Sequence, residues 1–348
     1  LHGARAARTT RAGRAPVEPF LAGPLEPVDT GLVELEDLVR FVQHPVRAFL
    51  RRRLGIVLRD GDDETADTMA VELDALAEWG VGQRLLDARL AGAPLAAGRA
   101  AEVARGSLPP GALGLRVLDK VSGRVERIAA AAEALATGAP GSLEVNVRLG
   151  SATTLVGTVP DLTGDLLRPV TYSTLGPRHR LATWVRFLAL SAGHPERGFR
   201  ASAVGRYGRR VKLAELSPLG ADPEQRRKEA VHHLEVLVDL YQRGMRQPLP
   251  LYCATSAAYA EYRAQRGPKS GVRQAWQTDR SFDREDRDLE HQLVWGRVAT
   301  LEEVLATAPE DGECVPGWGD DRDASRLGRY ARRLWDGLLA GETVGIIE

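Results

Sequence analysis

The chain has 348 residues and 43% hydrophobic content, enough to bury a sizeable core and to build about two domains. Its 47 basic and 47 acidic side chains cancel. That excludes nucleic-acid binding through the whole surface and confines any phosphate contact to local patches. Cys253 and Cys314 are the only cysteines, too few for a disulfide framework, a four-cysteine zinc site or an iron–sulfur cluster, and they fit a reducing cytosol. No apolar run approaches the roughly 20 residues a membrane span needs. The expected location is therefore cytoplasmic, with no membrane partner. The first residue is not Met and no signal-peptide core follows, so the chain reads as a piece of a longer frame.

In chain order, residues 1–31 read as a disordered linker or a remnant of an upstream region. Arg5, Arg8, Arg11 and Arg14 recur among Ala, Gly and Thr, and four prolines follow. From Val33 the apolar residues fall at helical spacing as far as Leu54, interrupted by Pro45. Residues 71–91 and 112–136 read as two further helices. At 142–150, 153–162 and 166–174 the pattern changes to β-branched, partly alternating runs separated by turn residues, which predicts three strands. A helix is expected over 178–192, then a hairpin over 199–216 turning at Tyr207–Gly208. Helices follow at about 223–245, 255–265, 284–295, 300–307 and 323–340. Helices on both sides of a strand group predict an α/β fold with a large helical periphery. The expected layout is one domain over 32–348, with a helical first part (32–140), a central sheet and hairpin (141–220) and a helical last part (221–348).

Several segments carry a family resemblance. His44, Pro45, Arg47, Phe49, Leu50, Arg53, Leu54 and Gly55 form an HPxRxFLxxRLG pattern. LPPGALG (108–114), GTVPDLTGD (157–165) and YQRGMRQPLPL (241–251) follow in order. Together they resemble RecB/AddB-type nuclease domains, and more closely the RecC carboxy-terminal family, across residues 33–348. The resemblance implies a degenerate PD-(D/E)XK restriction-endonuclease-like core. In active members an Asp on one strand and a carboxylate on the next hold Mg²⁺, which activates the attacking water, and a Lys two residues on offsets phosphate charge. Here Pro160 stands at the Asp position, Thr171 at the carboxylate and Ser173 at the Lys. The stretch Gly114 to Leu118 lacks the family's His, and Trp184 falls where active relatives place a Gln.

What the resemblance implies is a non-catalytic DNA-binding and scaffold part of RecC. Its partners would be RecB-type and RecD-type subunits, DNA ends and separated single strands, in double-strand-break repair by homologous recombination. Such a chain needs no cofactor of its own: Mg²⁺ and ATP are used by the partner subunits, and no phosphate loop occurs here. The rival is an active Mg²⁺-dependent nuclease that recruits Asp161 in a shifted register. Strict strand alternation argues against it, because a one-residue slip turns the side chain to the other face.

Two basic groups are candidate DNA contacts: Arg40, Arg47, Arg51, Arg52 and Arg53, and Arg206, Arg209, Arg210 and Lys212 around the hairpin turn. Each has a plainer reading, as a solvated helix face or an ordinary solvated hairpin. No metal site is expected, since His44 and His179 lack partners at ligand spacing and the adjacent His232 and His233 diverge. Asp320, Asp321 and Asp323 lack the spacing of a calcium loop, and Asp323 reads as the N-cap region of the last helix.

Overall fold

The computed structural model describes residues 19–28, 31–58, 74–150, 152–277, 284–296, 298–315, 317–319 and 322–347. Strand β1 (Leu32–Glu34) runs straight into helix α1 (Leu35–Gln43). Pro45 then splits the apolar run, because it suits a first helical turn better than an interior. Helix α2 (Pro45–Leu54) starts there, with the His44 ring accepting the Arg47 N–H, and stops at Gly55, whose φ of 66° closes a left-handed cap. Helices α3 (Ala75–Leu90), α4 (Leu95–Ala104) and α5 (Ala112–Leu135) follow. The Asp74 carboxylate caps α3.

The three predicted strands become four: β2 (Pro140–Leu149), β3 (Thr153–Thr163), β4 (Leu166–Leu167) and β5 (Val170–Thr174). Pro169, which has no N–H to give, divides the last two. Helix α6 (Pro177–Gly193) and the hairpin of β6 (Arg200–Tyr207) and β7 (Arg210–Leu216) come next. Tyr207 pairs with Arg210, so the turn is Gly208–Arg209, one residue later than expected, with Gly208 supplying φ 63°. The chain continues through α7 (Pro223–Gly244), α8 (Cys253–Arg263), α9 (Lys269–Trp276), α10 (Leu289–Trp295), α11 (Leu301–Ala306), α12 (Arg326–Gly341) and β8 (Glu342–Ile347). The sequence reading missed α4, α9, β1 and β8.

The chain divides into two compact units. The sheet unit comprises the described parts of Asp29–Gln43, Arg59–Asp239 and Asp336–Glu348. In its mixed sheet, β2 lies along one edge of β3, while β1 and β4 share the other edge at opposite ends. Both β4 and β5 pair in parallel with β6, and β7 and β8 complete the sheet. Gly157 of β3 lies between the β1 and β4 pairings, and a Cβ there would stand 2.6 Å from that of Leu35. Only glycine lets α1 start so close to the strand.

Val81, Leu85 and Leu86 of α3 and Val121, Val125 and Ile128 of α5 pack against Tyr172, Val204 and Leu213. Each such fully buried side chain stabilises the fold by about 1.5–3 kcal/mol. Arg180 of α6 pairs with Glu342 at 2.5 Å, both fully buried, which ties the helix to the start of β8.

The helical unit comprises the described parts of Leu1–Val28, His44–Leu58 and Leu240–Trp335. Tyr252, Trp276, Leu301, Val304 and Leu327 form its core. Residues 1–18, 29 and 30 lie outside the described residues, but 19–28 depart from the linker expectation. The Leu25 N–H donates to the Arg246 carbonyl at 2.8 Å, and Arg53 donates to the Glu26 carbonyl at 2.7 Å.

Candidate functional site

In the sheet unit, Pro160 sits at a β-bulge. The β2 partners shift between Gly141 and Leu143, so Pro160 and Asp161 together face one residue. A bulge tolerates a residue without an N–H, and it bends the strand enough to put Asp161 at φ 63°. Asp is among the few side chains that accept this conformation. Pro160 and Asp161 are both exposed. The strict alternation used to dismiss Asp161 therefore does not hold across the bulge.

On β5 the two hydroxyls are committed locally. The Thr171 hydroxyl accepts the Ser173 N–H at 3.1 Å, and the Ser173 hydroxyl accepts the Trp79 indole N–H at 2.9 Å. The Tyr172 N–H donates to the Gln83 side chain at 3.0 Å, so α3 covers this edge of β5. Gly82 makes the approach feasible: a Cβ there would lie 2.2 Å from the Tyr172 ring.

Five charges gather at the bulge. Although its side chain reaches solvent, desolvation by the surrounding protein pushes the Asp161 carboxyl above its usual range; Arg186 and Arg168 pull it down, and Asp87 and Glu36 push it further up. Arg186 in turn holds Glu36 at 2.8 Å, and Arg168 donates to the Ala132 carbonyl. The positive charge beside Asp161 thus comes from two guanidinium groups. The sequence reading tied none of Trp79, Gln83, Arg168 or Arg186 to these positions. A signal existed in the Trp79-Gly80-Val81-Gly82-Gln83 stretch, where two glycines inside a helix call for a packing reason.

The two basic groups differ. Arg40 is exposed beside Asp37 in the sheet unit, whereas Arg47, Arg51, Arg52 and Arg53 belong to the helical unit, so the five do not form one patch within a unit. Arg47 is held by Glu290, with Nε–Oε1 at 2.6 Å and Nη2–Oε2 at 3.1 Å. Arg53 is spent on the Glu26 carbonyl, while Arg51 and Arg52 are exposed. At the hairpin tip Tyr207 is 45% exposed, with Arg210 and Lys212 5.7 and 6.0 Å from its ring centre. Arg209 is exposed and Arg206 lies 4.7 Å over the Tyr172 ring. One aromatic ring and several cations therefore share an exposed turn.

The expectation that His44 has no partners is wrong. Asp288, 244 positions away, accepts from its Nε2 at 3.0 Å, and the His291 ring centre is 4.9 Å distant. Among the described residues these three are the one group with metal-ligand proximity. Three of the four ring nitrogens are already engaged. His44 Nδ1 accepts the Arg47 N–H, which leaves the proton on Nε2 for Asp288; His291 Nδ1 donates to the Glu285 carbonyl at 2.9 Å. Burial pushes the His291 ring down to about 4. Burial alone would raise Asp288, but hydrogen bonds and charge from His44 and His291 outweigh it and hold the carboxyl well below its usual range. The trio is a hydrogen-bonded network that fixes the starts of α2 and α10, where Asp288 is also the N-cap.

Trp184 is buried against Phe187 and His233, a core anchor. One other expectation changes. Asp323 does not cap α12; Ser325 accepts the Gly328 N–H, while fully buried Asp323 accepts from Tyr259, Arg263 and Arg332. Asp320 and Asp321 lie outside the described residues. No helix among the described residues is long and apolar enough to cross a membrane.

Comparison with known proteins places the chain. Residues 30–264 match the family model described as the RecC C-terminal domain. The chain is 38% identical to the RecBCD enzyme subunit RecC of Mycobacterium tuberculosis over 339 residues and 36% identical to that of Mycolicibacterium smegmatis over 340, in each case across 97% of its own length. It is 26% identical to the Escherichia coli K12 subunit over 291 residues, 78% of this chain. It spans about 30% of the length of the mycobacterial relatives and 24% of the Escherichia coli one. With the family model covering well over half of its residues, the chain belongs to the RecC C-terminal domain family.

Proposed function

We propose that this chain is a non-catalytic DNA-handling and scaffold part of a RecC subunit, built on a degenerate PD-(D/E)XK core. It works with RecB-type and RecD-type subunits on DNA ends and separated strands in the cytoplasm, in recombinational repair. Mg²⁺ and ATP serve the partner subunits. The observation that carries this reading is the state of the three substituted positions. Pro160 sits in a bulge, the Thr171 hydroxyl is turned to backbone, and the Ser173 hydroxyl is taken by an indole. Arg186 and Arg168 supply beside Asp161 the positive charge that a metal would otherwise bring. Contact with the strands falls to the hairpin tip, where Tyr207 offers a stacking face among Arg209, Arg210 and Lys212.

The exposed, bulge-borne Asp161 beside Glu36 and Asp87 favours a second reading, a Mg²⁺-dependent nuclease. Labelled linear and forked DNA decides between them. The first reading expects salt-sensitive binding to the fork and intact DNA in Mg²⁺. Cleavage that Asp161→Ala abolishes establishes the second.

A further inference from the structure

Strands β2 and β8 of the sheet unit each pair on one side only, β2 with β3 and β8 with β7. An edge left this way recruits other strands unless something blocks it. On β2 the blocks are visible. Pro140 opens the strand, the exposed side chains of Glu144, Asn146 and Arg148 are polar, and the His194 ring donates to the Glu144 carbonyl at 2.8 Å. Strand β8 has none of these. From Thr343 to Ile347 it carries neither charge nor proline, and among the described residues no backbone group bonds to its outer side. Val344, Ile346 and Ile347 are 37%, 46% and 43% exposed, an aliphatic surface of the kind that protected edges avoid.

The β7 register puts Val344 and Ile346 beside Ala214 and Lys212 on one face, and Ile347 beside Val211 on the face that packs on α3 and α5. Gly345 lies opposite Leu213 on that second face. A Cβ built on it would meet nothing within 4 Å, and its backbone is outside the left-handed region. Neither crowding nor conformation within the chain calls for glycine there. Glycine weakens a strand, and it marks places where another backbone comes close. A bulky side chain on an adjoining strand can close over such a glycine. The matching ligand is an extended polypeptide segment, uncharged opposite 343–347 and with a large apolar side chain over Gly345. A nucleic acid offers no amide ladder and would bring phosphates against aliphatic side chains. Two copies of this chain meeting along β8 would bring six residues each, where a stable complex takes about 20–30 a side. The added strand therefore comes from a protein that also touches its host elsewhere.

We propose that β8 is the docking edge for a strand of a partner subunit, which extends the sheet by one strand. The inference rests on the scaffold reading given above and names the place in the sheet unit where a partner attaches. The test takes the whole 348-residue chain with and without its RecB-type and RecD-type partners and reads backbone amide hydrogen exchange. The expected result is exchange slowed about tenfold or more within 343–347 in the complex. Val344→Lys with Ile346→Lys gives β8 a charged edge and weakens association about tenfold. The melting temperature of the free chain stays unchanged, since both side chains reach solvent. Gly345→Val fills the open space, weakens association several-fold and does not lower the melting temperature. A stable complex in which 343–347 exchange as fast as in the free chain overturns the proposal and leaves the scaffold reading standing. Association unmoved by the double lysine variant overturns it as well. Slowed exchange in the free chain at raised concentration assigns the edge to a second copy, and slowed exchange with forked DNA alone assigns it to nucleic acid; either result sinks the proposal. A chain that joins neither partner fails both readings together.

Discussion

Helix α2 and the β6–β7 hairpin carry similar densities of arginine, yet two of the four on α2 are spent inside the fold, Arg51 and Arg52 staying exposed, whereas the hairpin tip keeps its arginines at the surface. On α2, Arg47 is clamped by Glu290 and Arg53 by a backbone carbonyl, beside the His44–Asp288–His291 network. At the hairpin, Arg209 and Arg210 are exposed and Tyr207 presents its ring. A charge-assisted pair sealed among carboxylates stabilises the fold and has little left for phosphate. Exposed cations around an exposed ring add little to the fold. The count of basic residues in a segment therefore says less about nucleic acid than the acids that fold back onto it.

That contrast can be broken or sharpened by measurement. The largest effect belongs to acid on the helical unit. The folded-state His291 lies at about 4 against 6.5 for the free side chain, so the unfolded chain takes up its proton first as pH falls. Stability is complete above about 6.5 and is lost between 6.5 and 4, by roughly 3 kcal/mol for this group. Asp288, depressed below 3.8, extends the loss to lower pH. Thermal melts followed by tryptophan fluorescence check the window, and His291→Phe flattens it. Next comes the hairpin triple variant Arg209→Ala, Arg210→Ala, Lys212→Ala. It is expected to weaken forked-DNA binding about a hundredfold at low salt and to make the salt dependence shallower, with an unchanged melting temperature. Glu290→Ala should do the reverse, costing about 2 kcal/mol of stability with fork affinity unmoved. The smallest is Tyr207→Ala, expected to weaken single-strand binding about tenfold with the salt slope intact, since stacking releases no counterions. If Glu290→Ala lowered DNA affinity as much as the hairpin variant does, the division would collapse.

Much of the sheet was legible, because period-two patterning and turn residues place β2, β3 and the β6–β7 hairpin close to their observed limits. The bulge at Pro160 was not. Alternation assumes one residue opposite one, and nothing local announces that Pro160 and Asp161 share a partner. Strands β1 and β8 escaped because three and six residues carry too little pattern, and their pairing lies far along the chain. The α4 segment, half of it Ala, has no marked apolar stripe to read. The three positions that the resemblance singles out, Pro160, Thr171 and Ser173, could be named from the sequence. Their stabilising partners could not, since Trp79 and Gln83 reach β5 from a helix about 90 positions earlier. His44 and Asp288 illustrate the same limit over a longer separation.

The indole that donates to Ser173 bears on reversibility. An acid at 171 and a lysine at 173 would bring a long ammonium stem to where the partly exposed Trp79 indole now meets Ser173, and would turn that N–H from the hydroxyl to water. In the reading proposed above, rearming the strand therefore also calls for rearrangement of the helix side chain that covers it.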